Sequence, residues 1–295
     1  RKAKGIVERA RAQVAQALGA SNAKIIFTSS ATEACALAFK EKNLLGSKVE
    51  HDAVLAWIST TLKTNMDGRV TVENPTQSAL QLANSETGII QNLPKNLAAS
   101  DLTQAFGKIP LAFSWLGIGL GVISGHKIGG PKGIGALIIN GDLDVEPLII
   151  GGGQEKGIRA GTENVIAIAG FGAAAEASSK DLNAGLWDEV SGIRDTLEDF
   201  IETETDDTVI IGKKVDRLPN TSCFSVPGWK SEVQVMQMDL AGFSISAGSA
   251  CSSGKVRKSK VLEAMGYTEE VNKSAVRGSL GLQTNIEDIE KFFHS

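Results

Sequence analysis

The sequence predicts an α/β protein with a mainly parallel sheet, followed by a smaller α+β domain. Three observations point there. Apolar runs of strand length alternate with helical stretches over the first half of the chain. At residues 24–33 a strand pattern, a Ser/Thr turn and a helix start follow one another directly, as at a βα junction. Near residue 178 an Ala/Gly-rich stretch gives way to a strongly charged amphipathic one. With 295 residues and about 150 residues per domain, two domains are expected: 1–178 and 179–295.

The elements follow in order. Ile6, Val7, Ala10, Val14 and Leu18 share one helical face, with charges opposite. Lys24–Thr28 reads as a buried strand, and the helix after Ser29-Ser-Ala-Thr-Glu33 runs to Phe39. Further strands are expected at Arg69–Val72, Ala79–Ala83, Gly119–Ile123 and Ile134–Ile139. Residues 151–157 form a polar, glycine-rich loop, and Thr162–Ala177 a helix of small residues. The second domain opens with an amphipathic helix at Leu186–Ile201. It continues with strands at Thr208–Ile211 and Cys223–Val226, a helix around Glu232–Asp239 and a closing helix at Ile286–Phe293.

Charge and cysteine content narrow the function. Thirty basic against 34 acidic side chains leave a net charge of −4, without the basic excess of a nucleic-acid or anionic-membrane binder. No apolar run approaches the roughly 20 residues of a membrane span, and no signal peptide is visible, so a cytoplasmic protein is expected. The chain starts at Arg1, so a natural product extending upstream is expected. Cys35, Cys223 and Cys251 are odd in number and form no CxxC pair, which argues against a disulfide framework and a structural zinc site; no metal is expected.

Four segments carry candidate chemistry. Ser124-Gly-His-Lys127 follows an apolar strand and packs a hydroxyl, an imidazole and an amine into four residues. Lys127 suits a Schiff-base nucleophile, with Ser124 and His126 binding an anion. Spacing alone fits a Gly-Pro loop with a solvated lysine at least as well. Asp101, 26 residues before Lys127, ends a short apolar stretch. An acid there suits pairing with a protonated pyridine nitrogen, and a turn cap equally. The Ser29–Glu33 turn would present helix N–H groups and the positive dipole end to a phosphate, or simply cap its helix. Finally, Cys251 lies in Gly-Ser-Ala-Cys-Ser-Ser-Gly254, the small-residue setting of an exposed, mobile thiol. Lys255, Arg257, Lys258 and Lys260 follow and either favour its thiolate or form a solvated face.

Taken together, Thr-Ser-Ser-Ala-Thr-Glu, Glu-His-Asp-Ala-Val-Leu, Asp-Leu-Thr-Gln, Ser-Gly-His-Lys and Gly-Ser-Ala-Cys-Ser-Ser-Gly resemble the cysteine desulfurases of the NifS/IscS type. Arg159-Ala-Gly-Thr162 and Ala275-Val-Arg-Gly-Ser-Leu-Gly281 agree, and the seven motifs keep the family's order over about residues 5–292. The resemblance implies a class V, fold-type I pyridoxal 5'-phosphate enzyme, with helices on both faces of the central sheet. It implies that Lys127 holds the cofactor, Asp101 pairs with the ring nitrogen and Gln104 bonds the ring hydroxyl. His51 would stack on the ring and handle protons. Thr32, with Ala31 beside it, Ser124 and His126 would bind the phosphate, and Thr162 the phosphate of a neighbouring subunit in a homodimer. Arg277 would hold the carboxylate of L-cysteine, and Cys251 would take its sulfur as a persulfide. An acceptor protein such as an iron–sulfur scaffold would then receive it.

The chain departs from the family pattern in several places. The Asn-Asn-Ala-Thr-Thr-Pro opening is not seen. Asn84-Ser85 stands where the family has Asn-Asn, so Asn84 is the remaining candidate for that cofactor contact. Ser30 replaces a glycine, and residues 91–100 are short by most of a helix. Other readings therefore stand beside the desulfurase. One is a different class V enzyme, such as a selenocysteine lyase or an aminotransferase. The other is a degenerate paralogue of low activity.

Overall fold

A computed structural model describes residues 1–205, 207–248 and 258–294. The chain divides into two compact units. The first comprises residues 1–62, 71–83 and 91–184, and the second residues 63–70, 84–90 and 185–295.

The first unit contains α1 (Lys2–Ala17), β1 (Ala23–Thr28), α2 (Ala31–Phe39), β2 (Leu45–Ser47), α3 (Asp52–Leu55) and β3 (Ser59–Leu62). It continues with β4 (Ala99–Asp101), α4 (Phe113–Leu116), β5 (Leu120–Ser124), β6 (Gly135–Asn140) and α5 (Val165–Asn183). Four strands pair in the order β1-β6-β5-β4. β4 and β5 are parallel, while β6 runs against both of its neighbours. The parallel pair β2-β3 joins this sheet through residues 78–82. Ala79 N–H donates to Leu45 O, and Leu80 and Leu82 N–H donate to Ala99 O and Asp101 O. The result is a mixed α/β sheet in which β6 is the reversed strand.

Alternation along the strands explains why helices cover both faces. Ile26, Leu120, Val122, Leu137 and Ile139 point one way and bury against Ala34, Cys35, Ala38 and Phe39 of α2. Phe27 points the other way, meeting the Phe171 ring of α5 edge-on at 6.3 Å and the Arg11 guanidinium of α1 at 4.9 Å.

The second unit begins with α6 (Leu186–Glu204) and continues through β7 (Val209–Ile210), β8 (Thr221–Ser225), α7 (Ser231–Leu240) and β9 (Ser246–Ala247). It closes with α8 (Lys260–Met265), α9 (Glu269–Ser274), β10 (Ala275–Ser279) and α10 (Ile286–Phe293). Its antiparallel sheet has the order β7-β8-β10-β9. Leu197 and Ile201 of α6 bury with Ile210, Phe224, Val276 and Ile289. Between α6 and the chain before β8, Arg217 and Glu198 form a buried, two-pronged ion pair.

Two expected strands differ from the structure. Arg69–Val72 is not a strand; Thr64 and Val70 meet in one isolated bridge within a turn closed by Gly68. Residues 79–83 follow the sheet but pair in single bridges, because a side chain takes one of their ladder positions, as described below. The short 91–98 segment, carrying Pro94, forms no helix. Pro94 cannot donate an N–H to a helix ladder.

Candidate active site

Strand direction gathers most candidates of the first unit at one sheet edge. β1, β2, β4 and β5 all end there, and β6 begins there. Asp101 closes β4, and Ser124 closes the neighbouring parallel β5. In register across β6, Ser124 lies beside Gly135 and Gly135 beside Thr28. The carboxyl ends of parallel strands are where open α/β sheets bind ligands.

Local sequence builds each corner of this edge. Ser30 is the N-cap of α2, its Oγ accepting the Glu33 N–H at 3.2 Å. That explains a serine where the family has glycine. The α2 turn passes so close to β6 that a Cβ on Gly135 would stand 2.5 Å from Ser30 C and 2.6 Å from Ala31 N. Gly135 therefore lets the helix N-terminus reach the strand end beside Ser124. Ala31 is half-buried and Thr32 exposed. Glu33 reaches back to the Ser29 N–H at 2.8 Å and takes Arg159 Nε at 2.8 Å. Burial alone would raise its carboxyl; these hydrogen bonds outweigh it and hold it below the usual range.

After β5 the chain makes a tight turn over Gly125–Ile128. Ser124 Oγ and His126 Nδ1 share a hydrogen bond of 2.8 Å. Burial, then the charges of Lys127 and Lys132, push His126 below its ordinary value, favouring a neutral imidazole. Lys127 is exposed in the same turn. At β4, Asp101 Oδ1 accepts the Thr103 N–H at 2.8 Å, which orients the carboxylate from its own turn. Thr103 is buried and its hydroxyl has no partner. Gln104 is half-buried; its carbonyl takes Lys108 Nζ at 2.8 Å. His51, after β2, caps α3 by accepting the Ala53 N–H on Nδ1 at 3.1 Å.

Thr162 is exposed and lines a cavity of about 210 Å³ with Thr28, Ser29, Arg159 and Gly161 of its own chain. The loop leading to it is anchored by Glu155. That carboxylate takes two Arg11 N–H groups at 2.8 Å and the Phe27 N–H at 2.7 Å.

In the second unit, Arg277 Nη1 donates to the Ser85 carbonyl at 2.7 Å, and its Nε is buried without a partner. Asn84 is buried, and its Oδ1 accepts the Glu86 and Thr87 N–H groups at 2.9 Å. This oxygen shapes the 84–88 turn. Cys251 lies outside the described residues. Cys35 and Cys223 are buried. Burial pushes the Cys35 thiol well up, and that of Cys223 to about 12. Neither suits a nucleophile at neutral pH. Among the described residues, no group of three or more His, Cys, Asp or Glu side chains is placed to hold a metal, and no helix is long and apolar enough to cross a membrane.

The donor set of the first unit fits an anionic, ring-nitrogen cofactor. It offers one amine, one oriented carboxylate, two hydroxyls, an imidazole and a helix N-terminus cradled by Gly135. Glu33, Glu50, Glu155 and Thr103 are supports that motif reading passed over. Glu33, Glu50 and Thr103 stand inside the family motifs, which is the one sequence signal for them; Glu155 lies outside them.

Comparison with known proteins agrees. The family described as Aminotransferase class-V matches residues 1–292. The cysteine desulfurase IscS of Dictyoglomus turgidum is 35% identical over 324 residues, 98% of this chain and 82% of that protein. A cysteine desulfurase of Nostoc sp. is 35% identical over 319 residues, 97% of this chain and 80% of its own. The solved NifS-like protein from Rickettsia africae superposes with a TM-score of 0.89 at 33% identity, covering 100% of this chain and 87% of its own.

Proposed function

The chain belongs to the class-V aminotransferase family, among its cysteine desulfurases, and on that premise we propose how its residues divide the work. Pyridoxal 5'-phosphate, the cofactor of this enzyme class, supplies an electron sink when bound through a lysine amine. Lys127 provides that amine. Asp101 would hold the ring nitrogen, Gln104 would hold the ring hydroxyl, and His51 would handle protons beside them. Ala31, Thr32, Ser124 and His126 hold the phosphate at the α2 N-terminus. Asn84 contributes a cofactor contact from the 84–88 turn, and Arg277 takes the substrate carboxylate.

Cys251 accepts the sulfur of L-cysteine. The Cβ–S bond of the substrate breaks, an S–S bond forms on Cys251, and Cβ gains a proton. Alanine leaves and a persulfide remains. Lys127 and His51 carry the protons. The observation that carries this reading is the convergence of Asp101, Ser124–Lys127 and the α2 turn at one sheet edge.

We place the active form as a homodimer, with Thr162 reaching a partner's phosphate. Ile150 and Ile166, exposed at 88% and 86% on the segment carrying Thr162, support it; apolar surface of this kind favours association. The persulfide passes to an acceptor protein of the iron–sulfur scaffold type, in the cytoplasm.

The test is a single turnover. L-cysteine is added to purified enzyme, and alanine and protein-bound persulfide are measured for wild type and Cys251→Ser. Alanine with a persulfide that vanishes in the variant is expected. A yellow protein that makes neither would overturn the reading in favour of another class V reaction.

A further inference from the structure

Glu50 precedes His51 and is buried, only 4% exposed. It takes the place of a missing rung in the sheet. Leu80 and Leu82 direct their N–H groups to β4, while Ala79 directs its N–H to Leu45 of β2. The next N–H on the β2 side is that of Gln81, where β2 has already turned away. Glu50 Oε1 accepts it at 2.8 Å, and the Gln81 side chain returns a bond to Val49 O at 2.8 Å. One acceptor oxygen completes this pattern. The other, Oε2, is buried without a partner.

A buried carboxylate needs several donors or a cation. Glu50 has one backbone donor, and no cation among the described residues pairs with it. The titratable groups that face it are the Asp101 carboxyl of β4 and the Cys35 thiol of α2, both acidic.

We propose that Glu50 is held in the folded protein as an uncharged carboxylic acid, a positioning residue that ties the His51 turn to the segment beside Asp101 and leaves the carboxylate charge there to Asp101. The link to His51 and Asp101 rests on the functional reading above. Burial raises the Glu50 carboxyl, the Gln81 N–H lowers it and Asp101 raises it again, to about 8 in all. The folded state then keeps a proton that the unfolded chain releases near the ordinary value of 4.5. Between those values stability falls as pH rises, and above about 8 this contribution levels off. A glutamine is neutral throughout and keeps an acceptor for Gln81.

The experiment compares the thermal midpoint of full-chain, cofactor-loaded wild type and Glu50→Gln from pH 5 to pH 9. The variant is expected to gain on the wild type by several degrees up to about pH 8 and then hold level. A constant difference across the range would overturn the uncharged acid. For the positioning role, the absorbance of bound cofactor is read at pH 7. Glu50→Gln is expected to retain the band and Glu50→Ala to lose most of it. Equal bands in wild type and Glu50→Ala would sink that role. A colourless wild type would defeat the functional reading instead, and the same pH comparison made on the protein without cofactor would still decide the charge of Glu50. Should Glu50→Gln not fold, the infrared spectrum of the wild type replaces it. A carboxylic-acid C=O stretch at pH 6.5 that converts to carboxylate above about pH 8 is expected, and its absence overturns the proposal.

Discussion

Glu50 and Glu155 lie in the same unit, 4% and 6% exposed, and are held in opposite ways. Glu155 receives two guanidinium bonds and one backbone N–H; Glu50 receives one backbone N–H. Burial is equal, so partners decide what each carboxyl does. Glu155 anchors a loop whose backbone at that residue is left-handed, with φ 44°, a conformation that persists only when neighbours over-determine it. Glu50 anchors a sheet segment, for which a neutral acceptor suffices. The experiments below test this contrast, beginning with the largest effect.

Removing the partner of Glu155 should be the severest change. Arg11→Met would leave a carboxylate with a side-chain exposure of 3% facing one backbone donor. Breaking one side of a buried pair costs about 3–5 kcal/mol. The double variant Arg11→Met with Glu155→Gln should recover most of that loss, since the amide oxygen still accepts the Phe27 N–H. Chemical denaturation of both variants measures it. If the single variant unfolds like wild type, the contrast with Glu50 has no energetic content.

The contrast also shows what was legible in the sequence. The 24–33 junction was, because β-branched residues, a serine cap and a following acid all act within ten residues. So was the closing helix, bounded by the Asn285 capping box. The turns after β4 and β5, which carry Asp101 and Lys127, were legible as apolar runs that end in polar residues. Glu50 and Glu155 were not, because their partners stand 31 and 144 residues away. The excursions of residues 63–70 and 84–90 into the second unit carry no compositional sign, since backbone bonds such as Leu218 N–H to Gly88 O hold them there. Residues 79–83 lacked a regular ladder for the same reason: a side chain completes it.

Arg159 and Glu33 form an intermediate case, with side chains 23% and 15% exposed. Arg159→Met should cost less than Arg11→Met, because solvent reaches both partners. Its sign with pH is opposite to that of Glu50. Glu33 is held low, so its contribution is present above about 4.5 and is lost as pH falls below that value. The gap between wild type and Arg159→Met in thermal midpoint should therefore be open at pH 7 and narrow on acidification. A gap that widens toward low pH would show that Glu33 does not depend on Arg159.

The smallest effect belongs to one of the largest shifts. Glu269 is drawn down to about 2 by hydrogen bonds from Lys258 and Lys273, and it stands in solvent. Water and salt screen both lysines, and holding three long side chains together costs conformational freedom. Glu269→Gln should leave the thermal midpoint at pH 7 unchanged in physiological salt, although an NMR titration of the wild type would find this carboxyl well below its ordinary range. Glu50 is shifted in the other direction by burial, and its proton is coupled to folding because water cannot replace the missing partners. A midpoint lowered by Glu269→Gln as much as by Arg159→Met would mean that the surface network is far more rigid than its exposure implies, and that partner number outweighs burial even in solvent.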